Sequence, residues 1–242
     1  MFRTHDPSMG GTAVVTGAGR GLGLAFAKQL VDEGYNVIGT ARKPDKYEFL
    51  SRDGVIAFPL DIGSEDSIAR FGALLPDLAS SVELLVNCAG INSMSNGPFS
   101  KESSLRLGEL EQESLVNQLR VNAVGPLLLV QEMLPVLAEG ARVLNVSSWL
   151  GSISIKKSGG NYGYAASKAA LNMMNRALAG DLEERGVISV VMNPGWVRTN
   201  MGGEKAKLSP EESVDGMLST LRAATLDDSG AFLQWDGSEH PW

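Results

Sequence analysis

The stretch Thr12–Gly23, with the sequence TAVVTGAGRGLG, places an apolar run directly before a glycine-rich loop. Thr12–Thr16 is rich in β-branched and apolar residues, as in a buried strand. The apolar pattern that begins at Leu22 has helical periodicity, so the glycines mark a tight turn between a strand and a helix. The stretch therefore predicts the first strand-loop-helix unit of an α/β fold.

The same alternation continues along the rest of the chain. Further short apolar runs predict strands at Asn36–Thr40, Val55–Phe58, Leu84–Asn87, Arg142–Val146 and Val187–Met192. Helical periodicity between and after them predicts helices at Leu22–Glu33, Ser64–Leu75, Gln112–Ala138, Tyr164–Arg185 and Pro210–Ala224. Such alternation implies right-handed crossovers and one parallel sheet covered on both faces, and we expect residues 1–242 to form a single doubly wound α/β domain.

Irregular segments follow three of the predicted strands. They are Asn92–Lys101, Gly151–Asn161 and Trp196–Leu208. Because ligands bind at the carboxyl ends of the strands in open α/β folds, we expect a binding site among these segments.

Composition and charge restrict the function classes. A hydrophobic content of 43% and 28 glycines are ordinary for a soluble α/β protein. The formal net charge of −7 argues against general binding to nucleic acids or to anionic membranes. No apolar stretch is long enough to span a membrane and the polar start does not resemble a signal peptide, so we expect a cytoplasmic protein.

Cysteine and histidine are scarce. Cys88 is the one cysteine, which excludes an internal disulfide and fits a reducing compartment. The two histidines, His5 and His240, lie near opposite ends of the sequence. A zinc site or a histidine-centred catalytic triad is therefore not expected, and no metal is predicted.

The glycine loop has the context of a phosphate-binding loop. Gly17, Gly21 and Gly23 follow a predicted strand and open a helix, so they can form the tight turn, admit a pyrophosphate and pack the helix on the sheet. The alternative is a flexible turn without a ligand, since a glycine motif alone is a weak signal.

The end of the second predicted strand indicates which dinucleotide would bind. NAD-binding proteins usually place a carboxylate there, whereas this chain has Arg42 and Lys43. A 2′-phosphate attracts cations, so Arg42, with Arg20 and Lys43, favours NADP(H). Alternatively, Arg42 and Lys43 are only a solvated strand end that binds no phosphate. The nearby Asp45 weakens the preference for NADP(H) over NAD(H).

Tyr164 and Lys168 form a second candidate constellation. Residues four positions apart share one face of a helix, so the phenol and the ammonium group would meet there. A nearby cation lowers the pKa of a tyrosine, which suits proton transfer. The pair also occurs by chance on solvated helices. Tyr162 is a rival tyrosine, but its separation from Lys168 places it off that face.

Together these segments resemble the short-chain dehydrogenase/reductase family, over nearly the whole chain. The motifs that carry the resemblance, in the family's order, are Gly17–Gly23, Asp61-Ile62, Asn87-Cys88-Ala89-Gly90, Asn122, Ser148 with Tyr164 and Lys168, and Pro194-Gly195 with Thr199. The resemblance implies a Rossmann fold. Within the family, the segments Asn161–Tyr164, Asn193–Gly203 and Gly230–Gly237 look most like C-factor and sniffer-type carbonyl reductases. Cys88 departs from the pattern, because the family often has asparagine there.

The resemblance implies a role for each motif residue. Tyr164 would exchange a proton with the substrate oxygen, and Ser148 would hydrogen-bond that oxygen. Lys168 would lower the pKa of the tyrosine and hold the nicotinamide ribose, and Asn122 would support a water chain to Lys168. The implied cofactor-binding residues are Gly17, Arg20, Gly21, Leu22, Gly23, Arg42, Asp61, Ile62, Asn87, Ala89, Gly90, Tyr164, Lys168, Pro194, Gly195, Val197 and Thr199.

Several of these residues have structural explanations as well. Ser147 competes with Ser148, and Asn122 could be a structural helix asparagine. Asp61, Asn87 and Thr199 could cap turns or a helix, and Pro194-Gly195 could simply redirect the chain. The residues expected to form an apolar substrate pocket, with a substrate loop at about 196–208, are Trp149, Leu150, Tyr162, Trp196 and Met201.

We therefore expect an NADP(H)-dependent oxidoreductase that interconverts a small apolar carbonyl compound and a primary or secondary alcohol. The first alternative is an NADP-binding signalling or sensing protein with little turnover. The second is an extended-family epimerase or dehydratase, which the short stretch after Thr199 disfavours. The family resemblance implies a homodimer or homotetramer.

Overall fold

Seven parallel strands form one sheet in the computed structural model, which describes residues 11–51, 55–92 and 106–242. The strands are β1 Thr12–Thr16, β2 Asn36–Ala41, β3 Val55–Pro59, β4 Val82–Asn87, β5 Leu137–Val146, β6 Ile188–Asn193 and β7 Phe232–Gln234. Their order across the sheet is β3-β2-β1-β4-β5-β6-β7. The chain thus winds outward from β1 in one direction and then, after crossing to β4, in the other.

Helices cover both faces of the sheet, which confirms the doubly wound α/β prediction. The α-helices are α1 Gly21–Asp32, α2 Glu65–Leu78, α3 Gln112–Leu119, α4 Gly125–Met133, α5 Tyr162–Asp181 and α6 Pro210–Ala223. Apolar residues of α1 and α6 share one core cluster with the sheet, whereas α2 and α4 pack in a cluster on the other face. No helix in the described ranges is long and apolar enough to cross a membrane.

The central strands are buried because both of their faces are covered. Every residue of β1 and of β6 is buried, as the continuous apolar runs predict for a parallel sheet. The edge strand β3 is more exposed, and Pro59 is its last residue. A proline is tolerated there because it need not donate a hydrogen bond to an inner neighbour.

The helix predicted at Gln112–Ala138 is wrong in extent. A π-helical turn, Arg120–Val124, separates α3 from α4, and α4 ends at Met133. The chain then enters β5, whose Leu137 pairs with Val82. The helix prediction ran too far because Leu137 also fitted the helical pattern. Leu137 is buried as a residue of strand β5 and does not lie on a helix face.

Strand β7 was not among the predicted strands. It has only three residues, Phe232–Gln234, and pairs in parallel with β6. Three residues are too few for a recognisable periodicity, so the partner strand decides their conformation. Of the irregular segment predicted at 92–101, residues 93–101 lie outside the described residues.

Two glycines offer a test of how closely the helices pack. A Cβ atom at Gly125 would overlap the carbonyl oxygen of Ile62, whereas a Cβ at Gly180 meets no atom within 4 Å. We expect Gly125→Ala to lower the free energy of unfolding by about 1–3 kcal/mol through overpacking. Gly180→Ala, the matched control on α5, should raise it by about 0.5–1 kcal/mol through helix propensity. Urea denaturation of both variants tests this, and equal effects would contradict the close approach at Gly125.

Candidate active site

The candidate site lies at the carboxyl edge of the sheet. Thr16, Asn87, Val146 and Asn193 are the last residues of β1, β4, β5 and β6, which are neighbours in one parallel sheet. The segments that follow these strands therefore meet on the same side. This arrangement gathers motifs that are far apart in sequence, as the prediction of a site at this edge requires.

Tyr164 and Lys168 share one face of α5, as their spacing predicts. Lys168 Nζ lies 5.9 Å from the centroid of the Tyr164 ring. The lysine is only 5% exposed, and its ammonium group donates to the carbonyl oxygen of Val146 at 2.7 Å. Tyr162 is 39% exposed, so the rival tyrosine lies at the surface.

The structure gives Tyr164 a raised pKa instead of the expected lowered one. Burial raises the pKa of Tyr164 to about 12, and the hydrogen bond with Ser148 only partly opposes this shift. Burial also lowers the pKa of Lys168 to about 8, so this ammonium group loses its proton more readily than that of an exposed lysine. The prediction was wrong because it counted the charge of the lysine and not the removal of both groups from water. The result is a phenol that keeps its proton.

Ser148 contacts Tyr164, whereas Ser147 points elsewhere. Ser148 is the second residue after β5, and its hydroxyl accepts a hydrogen bond from the Leu150 N–H at 3.2 Å. Its hydroxyl also partly opposes the rise in the pKa of Tyr164. The Ser147 hydroxyl instead donates to Asn172 Oδ1 at 2.6 Å. Adjacent residues after a strand point in different directions, and the geometry favours Ser148 as the substrate-facing serine.

Asn122 lies in the π-helical turn and is fully buried. Its side chain forms two hydrogen bonds with the backbone of Ile91, accepting from the N–H at 2.8 Å and donating to the carbonyl at 2.7 Å. Its amide also donates to Ser167 Oγ at 3.0 Å. A Cβ at Gly90 would lie 3.3 Å from Asn122 Oδ1 and 3.8 Å from Lys168 Nζ, so both side chains approach Gly90 closely. Asn122 therefore fixes the segment after β4 against α5.

Cys88 belongs to the same site, which sequence reasoning missed. Burial raises the pKa of the Cys88 thiol to about 12, and the charge of Lys168 partly opposes this shift. The thiol also influences Tyr164 electrostatically. The sequence analysis noted only that Cys88 departs from the family pattern. Cys88 directly follows β4, a position that could have indicated its place at the carboxyl edge of the sheet.

The glycine loop packs tightly on its neighbours. Gly17 and Gly21 have positive φ angles of 71° and 56°. A Cβ at Gly23 would overlap the Gly17 carbonyl, and one at Gly17 would lie 3.0 Å from Ala89. A Cβ at Gly21 would lie 3.5 Å from the Thr199 methyl group. These approaches leave backbone N–H groups at the start of α1 open to an anion, as a phosphate loop requires.

Cationic side chains lie beside this loop. Arg20 precedes α1, and Arg42 and Lys43 follow β2; all three are exposed. Asp45 is also exposed, in the short 3₁₀ turn that follows. The donor set therefore fits a dinucleotide that carries an additional phosphate.

Tyr47 is a residue of this region that sequence reasoning missed. A Cβ at Gly19 would lie 2.5 Å from the Tyr47 ring, so the aromatic side chain covers the middle of the glycine loop. No sequence pattern pairs these two positions.

Two predicted cofactor residues have structural contacts. Asp61 is exposed, and its carboxylate accepts from the Gly63 N–H at 3.0 Å, while Ile62 is buried in the core. The Asn87 amide donates to Asn145 Oδ1 at 2.9 Å across neighbouring strands. The side-chain oxygen Oδ1 of Asn87 has no hydrogen-bond partner among the described residues. The turn-capping explanation thus fits Asp61, and Asn87 ties β4 to β5.

The segment after β6 is held in a defined conformation. Gly195 has a φ of 77°, and the Pro194 carbonyl accepts from the Ser213 hydroxyl at 2.7 Å. Val197 is buried and bridges to Leu208. The Thr199 hydroxyl accepts from the Gly202 N–H at 3.1 Å, which closes a turn inside the loop. The predicted loop at 196–208 is therefore tied together at its two ends.

The predicted pocket residues surround this edge and are largely exposed. Trp149 and Leu150 lie in the 3₁₀ turn after Ser148, and Trp196 and Met201 lie on the loop after β6. Trp149 is 47% exposed and Trp196 51% exposed. Large apolar side chains in contact with water beside a catalytic constellation are typical of a binding surface for an apolar ligand. Within the described ranges, no cluster of three or more His, Cys, Asp or Glu residues could hold a metal ion.

Comparison with known proteins decides the family. The sequence model of the short chain dehydrogenase family matches residues 11–209. The chain belongs to this family. The match covers every motif that carries the resemblance, from the glycine loop to Thr199, and places the chain among oxidoreductases.

Individual relatives confirm the narrower resemblance. C-signal of Myxococcus xanthus is 38% identical over 163 residues, which cover 66% of this chain and 93% of that protein. The structure of Sniffer, a carbonyl reductase of D. melanogaster, has a TM-score of 0.86 with 26% identity, covering 96% of this chain and 99% of its own. The NADPH-bound carbonyl reductase from chicken fatty liver has a TM-score of 0.84 with 31% identity. The match covers 96% of this chain and 98% of that protein's chain.

The buried ammonium group predicts a pH dependence of stability. The pKa of Lys168 is about 8 in the folded chain and 10.5 when the group is in water, so between these values the unfolded chain binds more protons. Stability should therefore rise with pH through this window. We expect the wild type to gain about 1–2 kcal/mol relative to Lys168→Met between about pH 7.5 and 9.5.

Urea denaturation at several pH values measures this difference. Lys207→Met, which removes an exposed ammonium group, controls for the loss of one positive charge. A constant difference between the wild type and Lys168→Met across the window would contradict the burial of the lysine.

Proposed function

We propose that this short-chain dehydrogenase uses NADP(H) to interconvert a small apolar carbonyl compound and the corresponding alcohol, with Tyr164 as the proton donor. The observation that carries the proposal is the placement of Tyr164 and the buried Lys168 on one face of α5, with Ser148 close enough to Tyr164 to lower its pKa. Residues 1–242 would form one domain that assembles as a homodimer or homotetramer. Residues 196–208 would form the substrate loop.

The cofactor would lie along the carboxyl edge of the sheet. Gly17, Gly21 and the start of α1 would hold the pyrophosphate, and Arg20 and Arg42 the 2′-phosphate. The turn at Gly195 and Thr199 would border the nicotinamide. When bound, the reduced cofactor supplies a hydride. This placement is supported by the approach of the Thr199 methyl group to within 3.5 Å of the Cβ position of Gly21, because it brings the segment after β6 beside the glycine loop.

The chain's own residues would handle the proton and the charge on oxygen. Reduction places negative charge on the substrate oxygen, and the Ser148 and Tyr164 hydroxyls are two donors positioned to stabilise it. A Tyr164 pKa of about 12 keeps the phenol protonated until that charge develops. Tyr164 then donates its proton, and the partly charged Lys168 stabilises the phenolate that remains.

The pocket supports an apolar substrate. Trp149, Tyr162, Trp196 and Met201 present large side chains to solvent around the site. The Trp196 indole N–H donates to the Gly202 carbonyl at 2.8 Å, which fixes this ring on the loop. A compact apolar ketone or aldehyde would cover these side chains and leave its oxygen at Ser148 and Tyr164.

Similarity to C-signal favours a second candidate, an NADP-binding signalling protein with little turnover. The two functions differ in one property, because a sensor binds the nucleotide without consuming it. Tryptophan fluorescence titration with NADPH and NADH, followed by cofactor oxidation against a panel of ketones and aldehydes, separates them. Selective NADPH binding with turnover supports the reductase, and binding without turnover on any carbonyl supports the sensor.

The catalytic role of the tyrosine can be tested by Tyr164→Phe. This change removes the donated proton and leaves the ring, so we expect kcat to fall by about 10²–10⁴-fold with little change in NADPH affinity. Tyr162→Phe is the matched control and should keep most of the activity. Normal turnover of Tyr164→Phe would exclude the assignment.

Cofactor choice can be tested by Arg42→Ala. Loss of a charge-assisted hydrogen bond to the 2′-phosphate should weaken NADPH binding by about 10–100-fold, and NADH binding by less than about threefold. Lys46→Ala, on the same segment, serves as a control for the general loss of positive charge. Equal weakening of both nucleotides would remove the argument for 2′-phosphate recognition.

A further inference from the structure

Asn193 links the two halves of the candidate site through one oxygen atom. It is the last residue of β6 and is 4% exposed. Its Oδ1 accepts hydrogen bonds from the Trp149 N–H at 3.1 Å and from the Gly195 N–H at 3.3 Å. Its amide nitrogen donates to Gln234 Oε1 at 3.2 Å. The bond to Gln234 on β7 therefore orients the side chain, and its oxygen accepts from two backbone N–H groups.

The two N–H groups belong to segments with different proposed roles. Trp149 follows Ser148, whose hydroxyl would bind the substrate oxygen. Gly195 lies in the turn that would border the nicotinamide. These segments leave adjacent strands, β5 and β6, and the Asn193 oxygen bridges them at the point where they diverge. The distance between Ser148 and the turn at Gly195 therefore depends on the side chain of Asn193.

We propose that Asn193 is a positioning residue that sets Ser148 relative to the cofactor turn, an inference that rests on the proposed function. Hydride transfer requires the donor and the carbonyl carbon at about 3–3.5 Å, and a displacement of about 1 Å can cost about 100-fold in rate. Ser148 moves with its turn, because its hydroxyl accepts from the Leu150 N–H and its carbonyl from the Gly151 N–H. Loss of the Trp149 contact would displace the hydroxyl along with the backbone.

Other contacts keep the turn folded when Asn193 is changed. Asn172 on α5 accepts from the Ser147 hydroxyl at 2.6 Å and donates to the Gly151 carbonyl at 3.4 Å. These bonds hold the turn on its opposite side. Replacement of Asn193 should therefore loosen one flank of the Ser148 turn without unfolding it.

A double-mutant cycle between Asn193 and Ser148 tests the proposal. The chain variants are Asn193→Leu, Ser148→Ala and the double variant, measured for kcat with saturating NADPH and for NADPH affinity. If Asn193 acts through Ser148, Asn193→Leu lowers kcat by about 10–100-fold in the wild type and by less than about threefold in Ser148→Ala. NADPH binding should weaken by a similar factor in both backgrounds, because the Gly195 contact is lost in each.

Two further variants separate positioning from general stability. Asn193→Asp keeps an acceptor for both N–H groups and should recover most of the kcat that Asn193→Leu loses. Arg142→Met removes two hydrogen bonds, to the Leu221 and Ala224 carbonyls, near the amino end of the sheet. It should lower the melting temperature while leaving kcat and NADPH affinity unchanged.

The outcomes distinguish this inference from the proposed function. Full multiplicative loss of kcat in the double variant, or an Asn193→Leu variant with wild-type kcat, overturns the positioning role while leaving the reductase intact. A Ser148→Ala variant with unchanged kcat, or a chain that binds neither nucleotide, overturns the proposed function and the inference with it.

Discussion

The hydrogen bond from Lys168 Nζ to the Val146 carbonyl connects the helix that carries Tyr164 to the strand that precedes Ser148. A buried ammonium group is costly unless it is bonded, and this bond at 2.7 Å offsets part of that cost. The cost appears as a lowered pKa of Lys168. This contact joins α5, which carries Tyr164, to the end of β5, which precedes Ser148, so the geometry of the site depends on a buried group whose desolvation opposes stability.

Polar side chains in the interior complete this framework. Asn122 holds the backbone after β4, Asn145 joins the Asn87 amide to Asn175, and Asn193 holds the segments after β5 and β6. Amide side chains suit this purpose, since each can donate and accept at once and carries no charge to desolvate. Neutral hydrogen bonds therefore support the carboxyl edge of the sheet around the bond of the Lys168 ammonium group. Cys88 influences both Lys168 and Tyr164 electrostatically within this arrangement.

The glycines explain how a dinucleotide could approach so closely. Gly17 lies against Ala89, Gly21 against Thr199 and Gly19 against Tyr47, so each glycine receives a different segment of the chain. Side chains at these positions would push those segments away from the start of α1. The loop is therefore shaped by the tertiary contacts of its neighbours as much as by its own positive φ angles.

The sequence by itself determined the order of strands and helices, the doubly wound fold and the shared face of Tyr164 and Lys168. Periodicity and glycine placement are local properties, and a spacing of four residues fixes a helix face whatever surrounds it. The tertiary structure decided the rest. It ended the long predicted helix with a π-helical turn and a strand, and added β7 beside β6. It also brought Cys88 to Lys168 and reversed the expected pKa direction of Tyr164. These features depend on burial and on partners distant in sequence, which a local pattern does not contain.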